Sequence, residues 1–289
     1  MKTKLIVILG PTASGKSNLA VQIAKKIGGE VISADSRQVY KGLNIGTGKI
    51  TSVEMQGIPH HLLDVADPKE TFTVADYVKL AEKAIADITK RNKIPIICGG
   101  TGFYIQALVD GLSIPEVPPN EELRKGLSTK TISELNKILE RLDPARFETI
   151  DKDNPRRLIR AIEIATALGS VPLLEKTYKY DTRFIGIDMP MDILKERIHK
   201  RLLSRIKNGM IEEIRNLHDN GLSWERMEDL GLEYRYVSRH LQGMITEKEM
   251  LEQLEMEICH YAKRQMTWFK RDKKIEWYKS GEEALLAFK

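Results

Sequence analysis

Short apolar runs alternate with amphipathic stretches along the first hundred residues of the chain. Runs rich in β-branched residues predict strands over Leu5–Leu9, Glu30–Ala34 and Ile94–Cys98. Apolar residues at helical spacing predict helices over Lys16–Ile27 and Val74–Lys90. Because strands that alternate with helices form right-handed βαβ units, the pattern predicts an α/β fold: a parallel-sheet core with helices on both faces.

The composition changes after Gly111, where Ile114–Asn120 contains three prolines. A helical block follows, with no convincing strand until about Phe184, and this block predicts a helical insertion domain. The predicted divisions are 1–111 for the first part of the core, 112–180 for the insertion, and 181–289 for a return to the core and basic C-terminal helices.

Two further features concern single elements of the predicted core. Pro95 lacks a backbone N–H, so we expect the start of the third strand to lie near an edge of the sheet. Beyond Met191 the pattern is helical, and a capping box from Thr246 to Glu249 predicts the start of a long helix.

The chain has 289 residues, 42% of them hydrophobic and 30% charged, which excludes disorder, collagen and a disulfide scaffold. Cys98 and Cys259 are far apart and match no paired metal or redox spacing, which favours a reducing compartment. No apolar stretch approaches the roughly 20 residues of a membrane helix. We therefore expect a soluble cytoplasmic protein without a membrane partner, and a monomer by default.

The net charge of +5 is unevenly distributed, because residues 261–280 hold seven Lys or Arg residues interleaved with Trp268, Phe269, Trp277 and Tyr278. Basic residues beside flat rings can bind phosphates and stack on bases. A solvated helix face explains the same pattern, and charge alone does not separate these two interpretations.

Residues 10–17, GPTASGKS, match the phosphate-binding pattern G-x-x-x-x-G-K-[ST] between a predicted strand and a predicted helix. Backbone N–H groups and the helix N-terminus can surround phosphate oxygens there, while Lys16 adds charge and the Ser17 hydroxyl can ligate Mg²⁺. The predicted polyphosphate or diphosphate site consists of Gly10, Pro11, Thr12, Ala13, Ser14, Gly15, Lys16 and Ser17.

An acid that holds magnesium often ends a second strand in phosphate-binding enzymes, yet the strand over Ile94–Cys98 runs into GGTG at 99–102. Asp35 instead follows the strand over Glu30–Ala34. At the carboxyl edge of the sheet Asp35 can bind Mg²⁺ or accept a proton, and we favour the proton acceptor; a simple capping role is the alternative. The glycines at 99–102 permit close approach of a ligand, and Thr101 offers a hydroxyl, although a tight turn also fits.

Two other groups of polar residues have both a structural and a functional interpretation. His60 and His61 lack partners at metal-ligand spacing, which favours structural roles. Arg156 and Arg160 share a helix face with Arg157 close by, and they can bind a nucleic-acid backbone. Salt bridges to Asp153 and Glu163 would instead give these arginines a structural role.

Six segments together resemble one family, the tRNA dimethylallyltransferases (the IPP transferase family). They are GPTASGKS at 10–17, DSRQVYKGLNIGTGK at 35–49, PHHLLD at 59–64, GGTGFY at 99–104, NPRRLIRAIE at 154–163 and AKRQMTWFKR at 262–271. The resemblance spans essentially the whole chain, in the family's order. It implies a phosphate-binding-loop core and a helical insertion that grips the anticodon stem-loop of tRNA.

The resemblance also implies the reaction. A dimethylallyl group passes from dimethylallyl diphosphate to the exocyclic amine of the adenosine immediately 3′ of the anticodon, in tRNAs that read codons beginning with U. Diphosphate is then the leaving group, stabilised by the loop, by Lys16 and by Mg²⁺ on Ser17, while Asp35 takes the amine proton and Thr101 also belongs to the catalytic set. The adenine must leave its stack to react. The residues implied in tRNA binding are Asp35, Ser36, Arg37, Gln38, Thr101, Arg156, Arg157, Leu158, Ile159 and Arg160.

The chain departs from the family pattern at three places. The family's late Gly-Tyr-[Lys/Arg]-Glu motif stands here as Glu233–Tyr236, arginine occupies position 205 where methionine is common, and the stretch from Leu127 to Asp143 is short. The position of Arg197 and Arg201 in the basic helix leaves two interpretations open, a donor-binding role or a solvated helix face.

Three other functions stay open from the residues. A kinase would use Asp35 to activate a hydroxyl on a small molecule or nucleotide, but no strand-end Asp stands near Gly99. A relative could prenylate free adenine nucleotide, although the insertion and the basic C-terminal tract favour a polynucleotide acceptor. A noncatalytic RNA-binding module would leave Lys16, Ser17 and Asp35 without a role.

Overall fold

The computed structural model describes residues 2–288, and its centre is a six-stranded sheet. The strands are β1 (Thr3–Leu9), β2 (Glu30–Ala34), β3 (His60–His61), β4 (Pro95–Gly99), β5 (Tyr180–Ile187) and β6 (Ile275–Tyr278). Their order is β3-β2-β4-β1-β5-β6, and every neighbouring pair is parallel. The predicted α/β fold with a parallel sheet is confirmed.

The chain divides into two compact units. One consists of Met1–Gly111 and Tyr178–Lys289, and the other is the intervening sequence Leu112–Thr177. The helices of the first unit are α1 (Lys16–Ile27), α2 (Ser52–Met55), α3 (Val74–Lys90), α4 (Gly102–Val109), α9 (Met191–Lys207), α10 (Met210–Asp219), α11 (Trp224–Leu230), α12 (Leu232–Leu241), α13 (Glu247–Phe269) and α14 (Gly281–Ala287). Among the described residues, no helix is both long enough and apolar enough to cross a membrane.

The sheet is covered on both faces because successive side chains of a strand point to opposite sides. In β1, Ile6 and Ile8 pack into the core cluster that includes α1, α9 and α13. Leu5, Val7 and Leu9 belong to the other cluster, with α3 and α4. Strands that are buried on both faces consist of nearly continuous apolar residues, which is why the apolar runs in the sequence predicted these strands.

The unit Leu112–Thr177 is entirely helical and has its own core. Its helices are α5 (Glu121–Ser128), α6 (Ile132–Leu142), α7 (Pro144–Thr149) and α8 (Pro155–Leu168). Leu135, Leu139 and Leu158 are almost completely buried at its centre. The carboxylate of Glu163 is also buried, and it accepts hydrogen bonds from the Arg124 side chain and from the backbone N–H of Asn120.

Two expectations about the sheet were wrong. Pro95 begins β4, which lies between β2 and β1 rather than at an edge. A proline is tolerated there because the first residue of a strand can forgo a ladder hydrogen bond. The basic tract is also not helical throughout, since Ile275–Tyr278 forms the edge strand β6. Its four residues and flanking charges masked the strand pattern.

Glu30 opens β2 and is completely buried, yet it carries an ionisable carboxyl group. The carboxylate pairs with the guanidinium of Arg91, the ammonium of Lys93 at 2.9 Å and the His61 ring at 2.7 Å. These hydrogen bonds, above all the one from Arg91, hold the pKa of Glu30 well below its ordinary value, although burial acts in the opposite direction. His61 therefore has a structural contact, as the sequence favoured.

We predict that Glu30→Gln lowers the stability of the protein by about 2 kcal/mol at neutral pH, because the exposed Arg91 and Lys93 and the His61 ring lose the buried carboxylate that accepts their hydrogen bonds. A carboxyl whose folded pKa is depressed contributes stability above its unfolded pKa and loses it on acidification. The difference in unfolding free energy between wild type and variant should therefore shrink as the pH falls below about 4.5. Denaturant titrations at several pH values measure it. A constant difference across that range would contradict the prediction.

Candidate active site

The loop between β1 and α1 carries the phosphate-binding motif. Gly10 and Gly15 adopt φ values of +153° and +89°, which favour glycine, and no side chain caps the N-terminus of α1. The first N–H groups of a helix have no acceptor within the helix, so the amides of Lys16 and Ser17 are available to an anion. The strand, loop and helix thus stand in the context that the motif requires.

Lys16 folds back beneath this loop, and its Nζ donates to the carbonyl oxygen of Pro11 at 3.1 Å. Burial lowers the pKa of Lys16 and the charge of Arg201 adds to this effect, whereas Cys98 and Asp35 oppose it. Within residues 2–288 no carboxylate forms an ion pair with Lys16. Such a cation is suited to an anionic ligand that supplies the missing charge.

The three predicted loops meet because their strands end in register. Leu9 of β1 and Ala34 of β2 both align with Gly99 of β4. Asp35 and Thr101 follow directly, and the hydroxyl of Thr101 accepts a hydrogen bond from the backbone N–H of Ser36 at 3.0 Å. The sheet therefore brings together the phosphate-binding loop, Asp35 and Thr101 at one edge, where open α/β proteins bind ligands.

Asp35 combines a structural contact with a free oxygen. Its Oδ1 accepts from the backbone N–H groups of Arg37, at 2.8 Å, and Gln38, at 3.2 Å. Among the described residues Oδ2 accepts no hydrogen bond and forms no ion pair. Oδ1 thus serves the turn that the capping interpretation proposed, while the position of Oδ2 is compatible with the predicted proton acceptor.

The glycines at 99–102 face the protein's own atoms and not an open ligand space. A Cβ at Gly99 would lie 2.1 Å from the carbonyl oxygen of Ala34, and one at Gly100 would lie 2.1 Å from Nε2 of Gln265. A Cβ at Gly102 would lie 2.3 Å from the indole of Trp268. Packing within the protein is therefore enough to require glycine at these three positions, and the approach of a ligand to this turn stays a prediction.

Gln265 on α13 joins two of the loops and was not singled out from the sequence. It is buried, its Oε1 accepts from the backbone N–H of Thr12 at 2.9 Å, and its Nε2 donates to the carbonyl of Gly100 at 2.9 Å. The sequence offered one indication of its importance, since Gln265 lies in the segment 262–271 that carries part of the family resemblance. Because both partners are backbone groups, Gln265 holds the phosphate-binding loop against the end of β4.

Arg201 on α9 adds a second cation beside the loop. It donates to the Thr12 hydroxyl at 3.5 Å and to the carbonyl of Gly48 at 3.4 Å, both long contacts. Burial lowers the pKa of Arg201 to about 10. No carboxylate lies within ion-pair distance of Arg201 in the described part of the chain. Of the two arginines for which a donor-binding role was open, Arg201 has the surroundings that suit an anion. Arg197 is exposed and lies near Gly15.

Two of the departures from the family pattern contact each other. Arg205 donates to Glu233 at 2.8 Å, and both side chains are largely buried. Arg205 also donates to the carbonyl of Gly46 at 3.2 Å. Each departure therefore supplies the charge partner that the other needs.

Glu213 on α10 holds the loop that follows Asp35, and sequence reasoning missed it too. Its carboxylate accepts from the backbone N–H groups of Asn44, Ile45 and Gly46 at 2.7–3.1 Å, and from the Tyr234 hydroxyl at 3.1 Å. Each of these residues is ordinary in a soluble helix or loop, so no local pattern marks the contact.

The arginines of α8 do not share one environment. Arg160 bonds to the buried Glu163 and donates to the carbonyl of Val117 at 2.9 Å, which are structural contacts of the kind that the alternative interpretation expected. Arg157 is exposed and pairs with Asp151, not with Asp153, at 3.1 Å. The other implied tRNA-binding residues of α8 also differ: Arg156 is exposed, Ile159 is half-buried and Leu158 is buried in the core.

The donor set suits magnesium better than a structural metal. Between residues 2 and 288 no group of three or more His, Cys, Asp or Glu side chains could hold a metal. The Nδ1 atom of His60 forms a hydrogen bond with the carbonyl oxygen of Ile58 at 2.9 Å, which is a structural contact. The exposed Ser17 can offer one hydroxyl oxygen. Mg²⁺ commonly takes one or two protein oxygens and completes its shell with water and substrate phosphate, so Ser17 fits such an ion.

These features define a P-loop α/β protein whose cationic loop faces an acid at the carboxyl edge of a parallel sheet. The model of the IPP transferase family matches residues 38–272. The chain is 46% identical over 286 residues to tRNA dimethylallyltransferase 2 of Treponema denticola, covering 96% of each chain. It is 40% identical over 291 residues to the tRNA dimethylallyltransferase of Anoxybacillus flavithermus, covering 99% of this chain and 93% of that protein.

Solved structures agree with this match. The full-length tRNA isopentenylpyrophosphate transferase of Bacillus halodurans has a TM-score of 0.75 and 35% identity, covering 99% of this chain and 94% of that one. A eukaryotic dimethylallyltransferase acting on tRNA has a TM-score of 0.78 and 29% identity, covering 92% and 69% respectively. The chain belongs to the IPP transferase family, the family of the tRNA dimethylallyltransferases. The resemblance is confirmed, and prenyl transfer rather than kinase chemistry is the class of this enzyme.

We predict that Arg201→Gln weakens the binding of inorganic pyrophosphate about tenfold, because the anion loses a cationic partner. We expect no fall in the melting temperature of the free protein, because a largely buried charge without a carboxylate partner costs stability when no anion is present. Isothermal titration calorimetry and thermal unfolding measure the two effects. Lys200→Gln, on the exposed face of the same helix, is the control and should change neither. A variant that binds pyrophosphate normally would exclude Arg201 from the anion site.

Proposed function

We propose that this protein transfers the dimethylallyl group of dimethylallyl diphosphate to the exocyclic amine of an adenosine in tRNA. The proposed target is the adenosine immediately 3′ of the anticodon, in tRNAs that read codons beginning with U. The observation that carries the proposal is the meeting, at one sheet edge, of a phosphate-binding loop with unpaired cations and an acid with one free oxygen. The choice of substrates is supported by the relatives that are named tRNA dimethylallyltransferase.

The cationic loop would act on the leaving group. As the allylic C–O bond breaks, its electron pair passes to the diphosphate, and negative charge grows on the oxygens. The loop amides, Lys16 and Arg201 are already placed beside Thr12 and need little reorganisation to stabilise that charge. A bound Mg²⁺ on Ser17 would supply further charge neutralisation.

Asp35 would act on the acceptor. The new bond joins the exocyclic nitrogen of adenosine to the allylic carbon, and the amine proton passes to Oδ2 of Asp35, which has no other partner in residues 2–288. Oδ1 keeps the carboxylate in place through the N–H groups of Arg37 and Gln38. The hydroxyl of Thr101 lies at the same edge and would help to orient the adenine.

The acceptor would reach this edge as a flipped nucleotide, since the amine of a stacked base is inaccessible to a site at the end of a sheet. The segment Asp35–Gln38 would contact it on one side of the loop. Arg156 and Arg157, the exposed arginines of α8, would contact the tRNA backbone. Arg160 and Leu158 would support that helix from inside the insertion.

Mass spectrometry of nucleosides tests the proposal. Unmodified tRNA is incubated with the protein, Mg²⁺ and either dimethylallyl diphosphate or ATP. We expect prenylated adenosine only with the allylic donor and only at the position 3′ of the anticodon. Product on free adenosine monophosphate but not on tRNA would instead establish the free-nucleotide transferase, and a phosphorylated product with ATP would revive the kinase.

We predict that Asp35→Asn lowers kcat by at least about a hundredfold while the affinity for dimethylallyl diphosphate changes little. The asparagine Oδ1 can still accept from Arg37 and Gln38, so the turn is kept and only the proton acceptor is lost. Single-turnover kinetics and donor titration measure both. Asp67→Asn is the matched control, because Asp67 accepts from the Lys69 N–H in a similar turn. Near-normal turnover would remove Asp35 from the mechanism.

We predict that replacing Arg156 and Arg157 together by glutamine weakens tRNA binding and reduces the salt dependence of log K by roughly one per lost phosphate contact. Replacing Lys125 and Arg141 by glutamine removes the same charge from α5 and α6 and controls for net charge. Filter binding at several salt concentrations gives both slopes. Equal slopes for the two double variants would show that α8 does not contact phosphates.

A further inference from the structure

Phe103 is an aromatic residue that the proposed chemistry does not use. It lies on the first turn of α4, two residues after Thr101, and 40% of its surface is exposed. A single exposed apolar residue is common and by itself needs no explanation. The position of Phe103 beside the proposed acceptor site makes its surroundings informative.

A second ring fixes the orientation of Phe103. The rings of Phe103 and Trp268 lie 6.4 Å apart at 76°, the edge-to-face geometry that aromatic pairs favour. Trp268 is itself held in place, because its indole fills the space that a side chain at position 102 would occupy, and it packs against the apolar core. The exposed face of Phe103 is therefore part of a supported surface and not of a loose side chain.

Positive charge surrounds this pair of rings. The guanidinium of Arg271 lies 5.4 Å from the Trp268 ring, and that of Arg264 lies 6.0 Å from the Tyr261 ring. Both arginines are exposed, and neither forms an ion pair within the described residues. Flat rings with unpaired guanidinium groups nearby suit a single-stranded nucleic acid, which offers bases to stack and phosphates to neutralise.

The same surface continues into the proposed acceptor site. Tyr261 is one helical turn before Gln265 and two turns before Trp268, so all three lie on one side of α13. Gln265 contacts Gly100, and Tyr261 lies close to Thr101 and Asp35. The rings therefore lie on the side of α13 that faces the turn at 99–102.

We propose that Phe103 and Trp268, flanked by Arg264 and Arg271, form a stacking ledge for the base next to the target adenosine. This inference rests on the proposed function. When the target leaves the stack, a neighbouring base loses its partner, and Phe103 replaces that partner while the arginines bind the adjoining phosphates.

The test uses anticodon stem-loop RNA with 2-aminopurine immediately 5′ or immediately 3′ of the target adenosine, bound to the protein without donor. A stacked 2-aminopurine emits weakly. With saturating wild-type protein we expect one of the two labels to stay quenched and to brighten with Phe103→Leu, which keeps apolar bulk but no ring. We expect Phe103→Leu to weaken RNA binding about fivefold or more, and Phe103→Tyr to restore both properties.

Leu286→Ala removes another exposed apolar side chain, on α14, and should change neither property. The ledge is overturned if Phe103→Leu leaves the affinity unchanged, or if both labels emit equally with wild type and variant. Because binding is measured without donor, this result does not depend on turnover. Wild-type protein that prenylates tRNA while Phe103→Leu binds normally would overturn the ledge and leave the proposed function intact.

Discussion

The parallel pairing of β1, β4 and β2 is the constraint on which the rest of the site depends. Backbone hydrogen bonds place Leu9, Gly99 and Ala34 level with one another, so the loops that follow must emerge together. No side chain of the site produces this arrangement. The loops contribute chemistry only because a buried apolar sheet holds their first residues at a common edge.

Around that edge the protein treats its charges in two ways. Some cations have a carboxylate partner: Glu30 pairs with Arg91 and Lys93, and Glu233 pairs with Arg205. Beside the loop, by contrast, neither Lys16 nor Arg201 has a carboxylate partner in the described chain. Unpaired charge is unfavourable in a largely buried site, so its concentration at one place identifies where an anion is expected.

The sequence predicted the parallel core, the phosphate-binding loop and the position of Asp35, because apolar runs and a contiguous motif are local signals. It did not predict the roles of Gln265 or Glu213. Their side chains form hydrogen bonds with backbone groups far away in the sequence, so no local sequence pattern indicates these contacts. The strand β6 was not predicted because it is only four residues long and charged residues flank it. The roles of Asp35, Lys16, Ser17, Thr101 and the α8 arginines stay predictions.

The glycine run at 99–102 also bears on how mutational data for this protein should be read. Gly99, Gly100 and Gly102 each exclude a side chain because a different part of the protein already occupies the space. A deep mutational scan would score all three as intolerant, as it would score true substrate contacts. Intolerance here would measure how tightly the sheet edge and α13 pack, so ligand contacts at this turn must be established by a direct binding measurement.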